Sequence, residues 1–200
     1  MKKKILITTG GSGGHVLPAI TIYDHLKVEY DVLISTDLRG RKYLDSDIYK
    51  VFVVNTPKLN KLILFPFAII KVFFLTLKSL FLLKREKIEI LISTGGYMSL
   101  PLCLAAKVRN IKIFLLEPNM IIGRANRFFL NFCEKIICYD SNIIGFPDKF
   151  QNKLKISHPL IRKKYFDINY KADVDRIFTI IIIGGSQGAK IFDEIVHESI

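Results

Sequence analysis

Three times in this chain a short apolar run stops at a cluster of glycines. Ile5–Thr8 leads into Gly10-Gly11-Ser12-Gly13-Gly14-His15, and Ile88–Ser93 into Thr94-Gly95-Gly96-Tyr97. Phe178–Ile183 leads into Gly184-Gly185-Ser186-Gln187-Gly188. A brief apolar run that ends in glycine reads as a buried parallel strand turning toward a helix. Further strand-like runs lie at Asp31–Thr36, Lys50–Asn55, Lys112–Leu116, Lys135–Tyr139 and, shorter, Leu154–Ile156. Helical spacing covers Pro18–Lys27, Pro66–Arg85, Leu100–Arg109 and Ile122–Cys133. Strands alternating with helices predict an α/β fold, a Rossmann-like and mainly parallel sheet. With 200 residues, half of them apolar, the chain can bury one ordinary core and begin another. The run at Phe178 reads as the first βα unit of a second Rossmann-like domain. The expected division is 1–165 and 166–200, with the second domain incomplete.

Each glycine cluster falls at the carboxyl end of a predicted strand, where open α/β sheets take their ligands. A helix start leaves backbone N–H groups without intrahelical partners, and the helix dipole adds partial positive charge there. Glycine lets a ligand approach that backbone closely. The combination predicts anion sites, most often for phosphate. A formal net charge of +12 points the same way, toward phosphates, nucleotides or an acidic membrane face. A lysine- and isoleucine-rich composition alone is the plainer account of that charge. No zinc-ligand spacing and no aromatic-basic signature supports a nucleic-acid partner.

Two familiar phosphate fingerprints fail. Counting G-x-G-x-x-G from Gly11 puts Val16 where the third glycine belongs, and no lysine follows the first cluster as a P-loop requires. Asp37 follows the second strand, where a ribose-binding acid would stand; a solvated turn aspartate is the plainer reading. His15 stands at a helix start, whose partial positive charge favours a neutral ring able to accept a proton; a histidine that merely caps the loop is the alternative. Glu117 and Asn119 flank Pro118, which forces an extended turn that aims both side chains into the cleft or makes them simple turn residues. Cys103, Cys133 and Cys138 form no CxxC pair and predict a reducing compartment. The apolar run after Met1-Lys2-Lys3-Lys4 is too short for a signal peptide.

Leu62–Leu83 is long enough to cross a bilayer but carries Lys71 and Lys78, seven residues apart and so nearly on one face, with Arg85 continuing the stripe. Two lysines count against a spanning helix, and so many phenylalanines against a plain core helix. An interfacial helix is the preferred expectation.

The segments GGSGGHVLPA, STGGYMSLPLCLAA, EPNMIIGRANR, HPLIR and GGSQGA stand in the order found in the MurG family of bacterial glycosyltransferases, which the chain resembles over nearly its whole length. The resemblance implies a GT-B fold, two Rossmann-like domains facing a cleft. It implies inverting transfer of N-acetylglucosamine from UDP-GlcNAc onto undecaprenyl-linked lipid I, giving lipid II for peptidoglycan. The N-terminal domain would take the lipid acceptor and the C-terminal domain the nucleotide sugar. By position, Ser12, Gly13 and Gly14 match a loop reaching the donor and the acceptor diphosphate. His15 matches a candidate general base, and Glu117 and Asn119 an active-site pair. Gly95, Gly96 and Tyr97 match the second loop, Arg162 a donor-contacting arginine and Ser186 the third-loop serine. Lys71, Phe74, Leu75 and Lys78 match a patch that docks on the anionic cytoplasmic face of the inner membrane. No metal ligand and no cofactor is implied. The family usually has Thr at Ser12, Gln at Pro118 and Gly at Leu100, and HPLIR is one residue longer than its usual form. A chain lacking the rest of the donor domain is expected not to transfer sugar alone. Related enzymes with another lipid acceptor, or a non-catalytic docking half of a split enzyme, remain as alternatives. A nicotinamide-dependent dehydrogenase is disfavoured by Val16.

Overall fold

A computed structural model describes residues 2–57, 65–162 and 165. The chain divides after Arg162 into Met1–Arg162 and Lys163–Ile200. The third glycine cluster with Ser186, and the strand expected before it, lie outside the described residues, as does the start of the apolar stretch at 62–64.

The first unit is a seven-stranded parallel sheet. Its strands are β1 (Lys4–Thr8), β2 (Asp31–Thr36), β3 (Val51–Val53), β4 (Ile90–Ser93), β5 (Lys112–Glu117), β6 (Lys135–Cys138) and β7 (Leu154–Ile156). They lie in the order β3-β2-β1-β4-β5-β6-β7. The order reverses direction between β1 and β4, the switch point at which doubly wound sheets form a crevice. The glycine clusters after β1 and β4 therefore sit side by side, with Thr8 in register with Ser93. Ile5, Leu6 and Ile7 are buried, as are Val32, Leu33 and Ile34 of the neighbouring strand. Burial on both faces explains why these strands read as continuous apolar runs rather than alternating ones.

Among the described residues four α-helices connect the strands: α1 (Gly13–Leu26), α2 (Phe65–Arg85), α3 (Leu100–Val108) and α4 (Arg124–Phe129). Two differ from the sequence reading. α1 starts at Gly13, five residues before Pro18, which therefore sits inside the helix. A proline at this sixth position removes the N–H that would donate to the Gly14 carbonyl, a local cost carried in the second turn of the helix. α4 is shorter than expected at both ends. Ile122 N–H donates to the Ile144 carbonyl at 3.1 Å, which keeps the segment before Arg124 extended. After Phe129 the Lys153 ammonium donates to the carbonyls of Leu130, Asn131 and Cys133 at 2.8, 3.2 and 2.8 Å. A cation on those carbonyls stabilises the helix end where it stands.

α2 has two unlike faces. Ala68, Ser79 and Leu83 are buried and Val72, Thr76 and Leu80 half-buried, a row at helical spacing that packs against α3 and the sheet. Phe67, Ile70, Phe74, Leu77 and Phe81 are exposed, with Phe67 at 72% and Phe81 at 67%. Lys71 and Lys78 are exposed beside them. This overturns the plain-core alternative. Leu75 is half-buried, between the inward row and the exposed face. Among the described residues no helix is long and apolar enough to cross a membrane.

Candidate functional site

Two glycine loops and the β5 turn enclose a cleft of about 750 Å³, lined by His15, Gly96, Tyr97, Glu117, Asn119 and Arg124, with apolar walls from Leu100 and Phe128. Sequence reading placed His15, Gly96, Tyr97, Glu117 and Asn119 at the site, and the fold gathers them from three different βα turns. Ser12 precedes α1 in extended conformation, with its side chain making no capping hydrogen bond. Gly13 and Gly14 form the first turn of α1, so their amides have no intrahelical acceptor. Arg162 does not line the cleft; it lies within electrostatic reach of the Tyr49 phenol.

His15 is held in one sense. Its Nδ1 lies 2.7 Å from the Thr94 carbonyl oxygen. A carbonyl only accepts, so Nδ1 carries the proton and Nε2 is left as the acceptor. The Thr94 hydroxyl donates to that of Thr9 at 2.8 Å and its amide to the Thr8 carbonyl at 3.1 Å, so the carbonyl facing His15 is itself anchored to the β1 end. Gly95 and Gly96 have φ of +89° and +80°, a region that side-chain-bearing residues rarely adopt. A Cβ on Gly95 would stand 3.2 Å from Asn126 Nδ2 and 3.5 Å from the His15 ring; one on Gly96 would stand 3.9 Å from His15 Nε2. Bare backbone lets the imidazole lie against this loop.

Glu117 is buried, 2% exposed, at the last position of β5. Both carboxylate oxygens are occupied. Oε1 accepts from the Asn119 side-chain amide at 2.9 Å and its backbone N–H at 3.3 Å. Oε2 accepts from Gly123 N–H at 2.8 Å and Asn126 Nδ2 at 3.0 Å. Four donors on one carboxylate make Glu117 the organiser of the loop that carries Asn119 and Arg124, rather than a free base. Asn126, buried and also donating to the Leu116 carbonyl at 3.0 Å, was missed in the sequence reading although it lies within the EPNMIIGRANR segment.

Asp37 is not a solvated turn residue. It is 4% exposed, and its Oδ1 accepts from Gly11 N–H at 3.0 Å and Gly40 N–H at 2.7 Å. Burial pushes its carboxyl up, but the two amides and the Arg39 guanidinium outweigh burial and hold it below the usual carboxylate range. The cysteines offer no nucleophile. All three are buried, and burial pushes the Cys103 thiol up to about 12 and the Cys138 thiol up to about 11. Among the described residues no cluster of His, Cys, Asp and Glu could hold a metal ion.

A parallel switch-point sheet with glycine loops around a histidine defines a ligand-binding domain of the doubly wound α/β class. The profile of the glycosyltransferase family 28 N-terminal domain matches residues 5–138, and the chain belongs to that family. A UDP-N-acetylglucosamine--N-acetylmuramyl-(pentapeptide) pyrophosphoryl-undecaprenol N-acetylglucosamine transferase of Pelagibacter ubique is 51% identical over 202 residues, covering 100% of this chain and 56% of the relative. The protein of the same name in Rickettsia canadensis is 33% identical, covering 99% of this chain and 56% of the relative. The chain thus spans little more than half the length of these relatives. The crystal structure of Acinetobacter baumannii MurG superposes with a TM-score of 0.73 at 22% identity, over 96% of this chain and 55% of that one, a likeness of fold.

Proposed function

We propose that residues 1–165 form the acceptor-binding domain of an inverting glycosyltransferase that moves N-acetylglucosamine from UDP-GlcNAc to lipid I, giving lipid II. Residues 166–200 begin the donor-binding domain, with Ser186 in its glycine loop. The observation that carries the reading is the fixed sense of His15, whose Nε2 is an acceptor in a cleft of glycine-loop backbone. In this mechanism Nε2 takes the proton of the acceptor hydroxyl as its oxygen attacks the sugar's anomeric carbon. The bond from that carbon to UDP breaks, and UDP leaves as an anion eased by backbone dipoles. The amides of Ser12, Gly13 and Gly14 face phosphate, and Asn119 serves the donor. Glu117 positions Asn119 and takes no proton.

The outer face of α2 supports a peripheral place on the cytoplasmic face of the inner membrane. Its phenylalanines offer apolar area, and Lys71 and Lys78 offer charge to anionic headgroups. An acceptor whose prenyl tail stays in the bilayer fits a cleft with one apolar wall.

The test is equilibrium binding of a short-chain lipid I analogue to this chain, compared with a prenyl diphosphate bearing a different sugar. Preference for the muramyl-pentapeptide compound supports the reading. Equal binding of both would assign the domain to another lipid acceptor.

A further inference from the structure

From the sequence, Asp37 is a ribose-binding acid or a turn residue, and Arg39 has no assigned role. The structure joins them to the cleft. Arg39 Nε donates to Asp37 Oδ2 at 3.0 Å, and its Nη2 donates to the Tyr97 hydroxyl oxygen at 2.7 Å. The guanidinium also lies 5.9 Å from the centre of the Tyr97 ring, and its Nη2 would stand 3.4 Å from a Cβ placed on Gly11. Asp37 in turn holds the amides of Gly11 and Gly40. One aspartate and one arginine therefore tie together the loops after β1, β2 and β4.

Hydrogen-bond sense gives this strut a chemical consequence. A guanidinium has donors only, so the Tyr97 oxygen accepts from it. The phenol's single hydrogen then points away from Arg39, and Tyr97 lines the cleft. His15 presents an acceptor there; Tyr97 presents a donor. We propose that Arg39 is a positioning residue that fixes the Tyr97 hydroxyl as a donor to a phosphoryl oxygen of a prenyl diphosphate. The ligand class rests on the acceptor reading above. Phosphoryl oxygens only accept, which matches a hydroxyl whose oxygen is already engaged, and the apolar wall of Leu100 and Phe128 suits a prenyl group beside them. Arg39 is half exposed and touches the ligand only through Tyr97.

The test is calorimetric titration of the 200-residue chain with inorganic pyrophosphate, farnesyl diphosphate and UDP. Wild type is compared with Arg39→Met, Arg39→Lys, Tyr97→Phe and the Arg39→Met/Tyr97→Phe pair. Tyr97→Phe is expected to weaken farnesyl diphosphate about tenfold, as for one hydrogen bond to a charged acceptor. Arg39→Met is expected to match it, and the pair to be no worse than either alone. Arg39→Lys keeps the charge but loses the two-pronged fork, and is expected to fall with Arg39→Met. Additive losses in the pair, or wild-type affinity in Arg39→Lys, would overturn the positioning role and leave the acceptor reading intact. A loss confined to UDP would overturn the assignment to a prenyl diphosphate. Should Arg39→Met fail to fold, Tyr97→Phe still decides: unchanged farnesyl diphosphate affinity overturns the proposal. No binding of pyrophosphate or farnesyl diphosphate by wild type would overturn the anion site, and the acceptor reading with it.

Discussion

The carboxyl edge of the sheet and the outer face of α2 are built on opposite terms. At the sheet edge the side chains of Glu117, Asp37 and His15 are engaged before a ligand arrives. Glu117 accepts four hydrogen bonds, Asp37 accepts two amides and a guanidinium, and His15 is pinned through Nδ1. On α2 the reverse holds: phenylalanines, Ile69, Ile70 and Leu77 stand in water with Lys71 and Lys78 among them. The first region is preorganised, so binding there need not order the side chains that take part. The second has an apolar surface left without a partner, the mark of a face that meets something else. The proposed transfer, which has to orient a reacting hydroxyl, calls for the first arrangement. The proposed docking on lipid calls only for area and charge.

The sharpest way to break the comparison is within α2 itself. Leu83→Ala, on the buried row, is expected to lower unfolding stability by about 2–5 kcal/mol. Phe74→Ala, on the outer face, is expected to change it by less than about 0.5 kcal/mol. Urea denaturation of both variants checks this, and similar losses would mean that the outer face is packed in solution. Replacing both lysines, Lys71→Gln with Lys78→Gln, is expected to weaken binding to anionic vesicles by about 2 kcal/mol in all, at about 1 kcal/mol per charge. Co-sedimentation at rising salt is the measurement; a variant that sediments like wild type would remove the electrostatic part of the docking proposal.

The sheet edge should respond differently. Gly95→Ala places a side chain at φ +89° against Asn126 and is expected to cost about 1–2 kcal/mol of stability. Thermal unfolding reads that directly, and a neutral result would mean that the loop relaxes freely. The smallest effect concerns pH. Asp37 has a lowered carboxyl pKa in the fold, so below its ordinary value of 3.8 the unfolded chain binds the proton more readily than the folded one. Its contribution is therefore present above about pH 4 and lost as pH falls through the lowered value. Asp37→Asn is expected to flatten the acid limb of the stability curve. An unchanged limb would mean that other carboxylates govern it.

How much of this was legible in the sequence follows from the range of each interaction. The β2 and β7 runs, and the glycine clusters after β1 and β4, are local patterns, and they fold as read. The α1 start was misplaced because Pro18 resembles a first-turn proline when the loop before it is unseen. The α4 ends depend on Ile144 and Lys153, each some twenty residues away, and no local pattern announces them. The same holds for the site. His15, Glu117 and Asn119 stand beside strand ends and could be picked out. Arg39 reaches Tyr97 across 58 positions of chain, and only the β2-β1-β4 order brings the two together. The periodicity of α2 showed a long apolar helix with a basic stripe. Which side the core takes depends on α3, which the helix's own residues do not reveal.

His15 is proposed to stand in the cleft as a proton acceptor through Nε2. Long-range ¹H–¹⁵N correlation of the histidine rings, at a pH where His15 is neutral, reports which nitrogen carries the hydrogen. The account predicts a protonated Nδ1 and a bare Nε2, lost to a mixture of tautomers when Gly95→Ala displaces the Thr94 carbonyl. A hydrogen on Nε2 in the wild-type chain would contradict it.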